Sequence, residues 1–127
     1  MFRSYKPSRP AAPYQRFGQE AEDLAASYLQ KKGFSILARN YRHQKAEIDI
    51  IAQKETCLSF VEVKARTNSW YGYPEAFVSP SKQALIREAA ENYIVVHDWN
   101  QAIRFDIIAV LQRNGKTQII HFEDAFY

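Results

Sequence analysis

Two strand-like segments separated by a short polar turn constrain the fold of this chain more than any other feature. The segments read EIDIIAQ (47–53) and LSFVEVKA (58–65), and the residues KETC lie between them. Runs of β-branched and aromatic residues on either side of such a turn are typical of an antiparallel hairpin. If the turn is symmetric, paired residue numbers have a constant sum, and Asp49 lies directly opposite Glu62.

The face that these two acids share is unusual for a strand built for burial. Side chains alternate along a strand, so Glu62 and Lys64 share a face with apolar residues. The expected register brings the Cβ atoms of Asp49 and Glu62 within about 5 Å of each other. Two ionised carboxylates at this separation repel by about 3 kcal/mol at an effective dielectric constant of about 20. One carboxyl group could therefore bind a proton, or a cation could lie between the two.

A divalent cation fits the excess of negative charge in this predicted cluster. The single charge of Lys64 cannot offset Asp49 and Glu62 together with Glu47 and Glu20, if all of these acids converge. Magnesium or manganese, which bind one or two carboxylates and keep several waters, are the expected ions. Such a site can hydrolyse a phosphodiester, since the ion polarises the phosphate and an ammonium group neutralises developing charge. The alternative is a cross-strand network of salt bridges on a solvated face.

Two helices are predicted from apolar periodicity and capping residues. The first covers residues 15–32, stops at Gly33 and directs Glu20 along its buried face. The second begins with Ser79 as N-cap and Pro80 at its first position. The apolar stripes are Phe17, Ala21, Leu24, Ala25, Tyr28 and Leu29 in the first helix, and Leu85, Ala89, Tyr93 and Val96 in the second.

Three further strand-like segments complete an α/β fold of order αβββαββ. They read FSILARNYRH before the hairpin, and AIRFDIIAVLQ and TQIIHF around an Asn-Gly turn after the second helix. The helix between the third and fourth strands makes a crossover, so these strands should be parallel in a mixed sheet flanked by helices. We expect a single domain over residues 15–127, preceded by a flexible basic arm over residues 1–14.

The composition is that of an ordinary globular protein of one domain, with 127 residues, 46% of them hydrophobic. The only cysteine, Cys57, and the absence of a long apolar run predict a cytoplasmic protein without membrane segments. The net charge of +3 is compatible with an anionic partner, although many other proteins have similar charge.

Several stretches in the same order resemble the YraN family of small bacterial proteins. They are FGQEAEDLAASYLQKKGFSILARNYR, AEIDIIA, FVEVKAR, YGYPEAF and IRFDIIAV, and the resemblance covers residues 17–127. That family is similar to the PD-(D/E)XK nuclease superfamily, whose restriction-endonuclease-like core includes archaeal Holliday-junction resolvases. The resemblance implies a restriction-endonuclease-like fold, cleavage of DNA and a requirement for magnesium or manganese.

Roles for particular residues follow from this resemblance. It implies that Asp49 and Glu62 are metal ligands, that the Val63 carbonyl is a further ligand and that Lys64 is the catalytic lysine. Glu20 matches the acid that the first helix of resolvase-like members brings toward the metal. This chain has Ile48 in place of the nominal proline and Ala46 where the family usually has glycine. Neither departure removes a ligand.

Other residues are candidates for contacts with nucleic acid. Arg39, Arg42, Lys82 and Arg87 could bind phosphates, although each alone is more often a surface charge. Tyr71, with Trp70 and Tyr73, could stack on exposed bases or anchor a loop on the core. Arg104 and Asp106 could form a supporting ion pair. The three histidines (His43, His97 and His121) have no metal-ligand spacing.

Three hypotheses follow from these patterns. The first is a metal-dependent nuclease that acts on DNA, including branched or structured DNA. The second is a non-catalytic nucleic-acid-binding module that retains the fold, and the third is a structural protein with an ion-pair network. The complete set of two acids and a lysine favours the first hypothesis. A homodimer would supply the two active sites that cleavage of a symmetric junction requires.

Overall fold

A five-stranded mixed sheet with a helix on each face forms the core of the protein. The computed structural model describes residues 13–67 and 78–127, with side chains from Arg16 onward. The elements are α1 (Pro13–Lys31), β1 (Ser35–His43), β2 (Ala46–Lys54), β3 (Cys57–Arg66), α2 (Pro80–Val96), β4 (Ala102–Arg113) and β5 (Lys116–Phe126). The predicted order αβββαββ is therefore confirmed.

The strands lie in the sheet in sequence order, β1-β2-β3-β4-β5. Strands β3 and β4 are parallel and the other neighbours are antiparallel. The parallel pair follows from the crossover through α2, because a tight turn can join only antiparallel strands. As predicted, the sheet is mixed, and β3 lies at its centre.

The start of α2 and the end of α1 agree with their capping residues, whereas α1 begins two residues before its predicted start. The Ser79 side chain accepts a hydrogen bond from the Lys82 amide at 3.2 Å, and Pro80 is the first residue of α2, as predicted. Helix α1 begins at Pro13, inside the arm predicted over residues 1–14, of which residues 1–12 lie outside the described part of the chain. Its end is followed by Gly33, whose φ of 95° is a conformation that suits glycine.

The helices pack on the sheet through small residues. The buried face of each helix is therefore rotated about the helix axis relative to the predicted apolar stripe. Leu24 of α1 is 40% exposed, and Leu85 and Val96 of α2 are 38% and 64% exposed, so their predicted burial is wrong. Alanines let a helix approach the sheet closely, while larger residues fill the flanks. The residues that pack against the sheet are Ala21, Ala25, Ala26 and Leu29 in α1, and Ile86, Ala89, Ala90 and Tyr93 in α2.

The central hairpin has the predicted register. Pairing of β2 with β3 runs from Lys54 opposite Cys57 to Ile50 opposite Val61, so each pair has the same sum. Extension of this register by one residue puts Asp49 opposite Glu62, where the two strands stop pairing. The end of this ladder is the part of the fold that positions the candidate site.

A fully buried acid, Asp106, joins β4 to β5. Arg104 donates two hydrogen bonds to it, at 2.8 and 2.9 Å, which confirms the predicted ion pair. His121 Nε2 lies 2.7 Å from the same carboxylate, and the Asp124 amide donates to it at 3.0 Å. Burial alone would raise the pKa of Asp106, but these hydrogen bonds and the Arg104 charge lower that pKa below its ordinary value.

Replacement of this acid tests its structural role. We expect Asp106→Asn to lower the free energy of unfolding by about 3 kcal/mol at neutral pH, because Arg104 and His121 lose a buried carboxylate. Since the pKa of Asp106 is lowered in the folded state, its contribution is present above about pH 4 and is lost as the pH falls through the folded pKa. Urea unfolding at about pH 7 and about pH 2.5 measures both effects.

The matched control is Glu123→Gln, because Glu123 is an exposed partner of Arg104 at 3.6 Å. This variant should change the free energy of unfolding by less than about 0.5 kcal/mol. A loss of stability in Asp106→Asn that is equal at both pH values would contradict the proposed role of the charge.

Candidate functional site

Asp49 lies at the point where strands β2 and β3 separate. The backbone amide of Val63 donates a hydrogen bond to Asp49 Oδ2 at 2.8 Å. Val63 lies two residues beyond the last paired position, Val61, so a side-chain carboxylate takes the place of a backbone acceptor. This bond orients the Asp49 carboxylate along the edge of the hairpin, toward Glu62.

The two acids interact directly. Burial and the negative charge of Glu62 raise the pKa of Asp49 to about 8, although the hydrogen bond from Val63 acts in the opposite direction. A smaller contribution comes from the charge of Glu22 on α1. At neutral pH Asp49 therefore holds a proton unless a cation offsets the neighbouring charges. These are the two alternatives that the spacing of the acids suggested.

Glu62 is buried in β3 with a side chain only 4% exposed, and two lysines approach the same oxygen. Lys64 Nζ lies 3.3 Å from Glu62 Oε2, and Lys82 Nζ also forms an ion pair with Oε2. Burial lowers the pKa of Lys64, and the charge of Lys82 adds to this effect. Burial disfavours the Lys82 ammonium as well, but the hydrogen bond and charge of Glu62 outweigh it and raise the pKa of Lys82.

The acid that α1 brings toward this cluster is Glu22, which the sequence-based prediction missed. Glu20 is exposed, so the expectation that it points along the buried face is wrong. Glu22 precedes Ala25, Ala26 and Leu29 at helical spacing, on the edge of the stripe that packs against the sheet. Leu24 was included in the predicted buried stripe, and because Glu20 lies four residues before Leu24, Glu20 was placed on the buried face. The spacing of the alanines was the signal that could have identified Glu22.

Arg39 holds Glu22 in this position. Its guanidinium donates hydrogen bonds to Glu22 at 3.2 Å and to Asp23 at 2.8 Å. The Glu22 side chain is 19% exposed, whereas that of Asp23 is 68% exposed. The structure shows Arg39 in contact with an acid whose charge acts on Asp49, and its role in binding phosphate stays a prediction.

The other candidates for nucleic-acid contacts lie in different surroundings. Arg42 is exposed, 3.7 Å from Glu47, and Arg87 donates to the backbone oxygen of Tyr127 at 2.7 Å. Lys82, in contrast, forms an ion pair with Glu62 of the candidate site. The aromatic residues Trp70, Tyr71 and Tyr73 lie outside the described residues. For all of these residues, a role in binding nucleic acid stays a prediction.

An open cavity of about 350 Å³ lies over the two carboxylates. The start of β2 lines one side, and the first turns of α2 line the other with Ser79, Ser81, Lys82 and Leu85. Leu85 lines this cavity, which explains why it is not packed against the sheet. The cavity gives a ligand access to Asp49 and Glu62.

The donor set fits a hard divalent cation such as magnesium or manganese. Asp49 and Glu62 supply carboxylate oxygens, and magnesium is commonly held by one or two carboxylates with water in its other positions. Within residues 13–67 and 78–127, no group of three or more His, Cys, Asp or Glu side chains is arranged to hold a metal ion. In a strand, the N–H and C=O groups of one residue face the same neighbouring strand, so the Val63 carbonyl faces β2 as its amide does. The role of this carbonyl as a metal ligand stays a prediction.

Comparison with known proteins identifies the relatives of this chain. The model of Uncharacterised protein family UPF0102 matches residues 21–110. The chain belongs to this family. The YraN family that the sequence motifs indicated is the same family, so that prediction is confirmed.

Curated members of the UPF0102 family match nearly the whole chain. The UPF0102 protein of Flavobacterium psychrophilum is 50% identical over 116 residues, which cover 91% of this chain and 98% of the relative. Those of Flavobacterium johnsoniae and Christiangramia forsetii are 42% and 39% identical, with the same coverage. In the described ranges of this UPF0102 protein, no helix is long and apolar enough to cross a membrane.

The raised pKa of Asp49 predicts how stability depends on pH. Between about pH 4 and pH 8 the folded, metal-free protein holds a proton on Asp49 that the unfolded chain releases, so its stability falls as the pH rises. Asp49→Asn removes this dependence and keeps an acceptor for Val63. In EDTA at about pH 8, we expect the free energy of unfolding of the variant to exceed that of the wild type by about 1 kcal/mol or more. At about pH 4 we expect little difference between the two free energies.

Urea unfolding as a function of pH measures this difference. Glu88→Gln removes an exposed acid from α2 and serves as the control, with no change in the pH dependence expected. A difference between wild type and Asp49→Asn that stays constant from pH 4 to pH 8 would contradict the assignment of the raised pKa to Asp49.

Proposed function

We propose that this UPF0102 protein is a metal-dependent endonuclease that hydrolyses phosphodiester bonds of DNA, including branched or structured DNA. The observation that carries the proposal is a pair of interacting acids, Asp49 and Glu62, that line an open cavity, with Lys64 beside Glu62. An acid whose pKa is strongly raised by burial and a neighbouring charge is typical of a functional site.

The residues of this site have distinct roles in the proposed reaction. Asp49 and Glu62 would hold magnesium or manganese, and Asp49 would do so as the carboxylate. The chemistry that such an ion would supply is polarisation of the scissile phosphate and activation of water. The Lys64 ammonium, held beside Glu62, neutralises charge that develops on the phosphate. Glu22 adds negative charge that favours the cation, and Arg39 positions Glu22.

The proposal includes a cytoplasmic location and DNA as the partner. One cysteine, Cys57, and a net charge of +3 are compatible with both. A homodimer would present two active sites to a symmetric branched substrate.

A non-catalytic nucleic-acid-binding module is the second candidate function. It is favoured by the two lysines at Glu62, because their ammonium groups compensate the buried carboxylate without a metal ion. This candidate requires binding of nucleic acid that weakens with salt, and no cleavage.

Cleavage assays with single variants distinguish these functions. Wild-type protein, Glu62→Gln and Lys64→Ala are incubated with branched, single-stranded and linear DNA in magnesium or manganese. We expect each variant to lower the cleavage rate by about 100-fold or more, because the cation or the neutralising ammonium is lost. Glu91→Gln and Lys116→Ala change exposed residues and should leave the rate unchanged.

Cleavage that survives both substitutions would identify a contaminant and exclude this site. If the wild type cuts no substrate but binds DNA with a salt-dependent affinity, the non-catalytic function is correct. If it neither cuts nor binds, the charges form only an ion-pair network, as the structural hypothesis holds.

A matched pair of α1 variants tests which helix acid serves the site. We expect Glu22→Gln to lower the cleavage rate by about tenfold, because its charge acts on Asp49. Glu20→Gln should have the smaller effect, since Glu20 is exposed. The opposite ranking in the same assay would support the assignment that the family resemblance implies.

A further inference from the structure

Glu62 has one more cationic partner than its charge requires. Lys64 and Lys82 both form ion pairs with the same carboxylate oxygen, Oε2. The two ammonium groups also repel each other, because both are positively charged and lie beside the same oxygen. The Glu62 carboxylate holds both ammonium groups, and one lysine becomes surplus as soon as another cation binds this carboxylate.

The two lysine side chains differ in how easily they can move away from Glu62. Lys64 lies on β3, two residues from Glu62, and its side chain is 18% exposed. Lys82 approaches from the first turn of α2, and its side chain is 43% exposed and lines the cavity. A long, flexible side chain with access to solvent can reorient at little cost. Lys82 is therefore the residue that a competing cation displaces.

We propose that, in the metal-free protein, the Lys82 ammonium takes the position beside the Glu62 carboxylate that a divalent cation would take. When the cation binds, the Lys82 side chain moves into the cavity and binds a phosphate of the nucleic acid. This inference rests on the proposed function, because it assumes that Glu62 is a ligand of the cation. It goes beyond that function by coupling the two ligands. Binding of the cation releases the ammonium that the substrate requires, so each ligand strengthens the binding of the other.

The surroundings of Lys82 suit a phosphate once Glu62 is neutralised. Lys45 and Ser81 line the same cavity. An ammonium group is a common phosphate ligand, and a hydroxyl group adds a hydrogen-bond donor. In the metal-free protein Lys82 is held by Glu62, so it contributes little to binding of nucleic acid.

The test measures both ligands in Lys82→Met, which keeps the length of the side chain and removes its charge. Calorimetry with Mn²⁺ should give a Kd at least about threefold lower than that of the wild type, because the competing ammonium is absent. Fluorescence anisotropy then measures binding of a branched DNA with phosphorothioate linkages, which resist cleavage. With Mn²⁺ we expect the affinity to fall about tenfold and the salt dependence to decrease by about one phosphate contact.

Without Mn²⁺ the same variant should bind DNA within about twofold of the wild type, and this difference between the two conditions is the signature of the exchange. Lys116→Met removes an exposed lysine of β5 and controls for general charge, with no change expected in Mn²⁺ binding. Lys82→Gln is a second variant with the same expected results, and thermal unfolding verifies that each variant is folded.

Three outcomes would overturn this inference. Weaker or unchanged binding of Mn²⁺ in both Lys82 variants would show that Lys82 does not compete with the cation. An equal loss of DNA affinity with and without Mn²⁺ would make Lys82 an ordinary surface charge. If wild type and Glu62→Gln bind Mn²⁺ equally, or neither binds it, the metal site is wrong, and the proposed function fails together with the inference.

Discussion

Burial of the Glu62 carboxylate in the central strand is the constraint on which the rest of the site depends. Strand β3 lies between β2 and β4, and helices cover both faces of the sheet. A charge in this position loses most of its hydration, which costs several kcal/mol unless other groups compensate. The compensation comes from Lys64 on β3 and Lys82 on α2, while Asp49 on β2 faces the same carboxylate. The site therefore requires that all three elements be packed together.

Two acids of the sheet, Asp106 and Asp49, show opposite electrostatic behaviour. Asp106 accepts hydrogen bonds from Arg104, His121 and a backbone amide, and its pKa is lowered. Asp49 faces Glu62, and its pKa is raised to about 8. A fully compensated acid stabilises a fold, whereas facing acids store an unfavourable interaction that a proton or a cation relieves. This contrast is the physical reason why we propose chemistry at Asp49 and a structural role for Asp106.

Local signals in the sequence were sufficient for much of the fold. The capping residues Ser79 and Pro80 predicted the start of α2, and the hairpin turn predicted the register that brings Asp49 to Glu62. These predictions were correct because short-range sterics and hydrogen bonds determine caps and turns. The predicted exposure of individual helix residues was less accurate. Leu24, Leu85 and Val96 are exposed because the alanines of each helix pack closest to the sheet.

By itself, the sequence determined the order of the elements, the register of the hairpin and the set of two acids and a lysine, since all of these depend on residues that are near in the chain. Only the tertiary structure decided which residues of the helices complete the site. It brings Glu22 toward Asp49 in place of Glu20, turns Arg39 onto Glu22 and brings Lys82 to Glu62. The rotation of a helix on a sheet is determined by packing of side chains that are distant in sequence, and a small error in its phase directs a different acid toward the site.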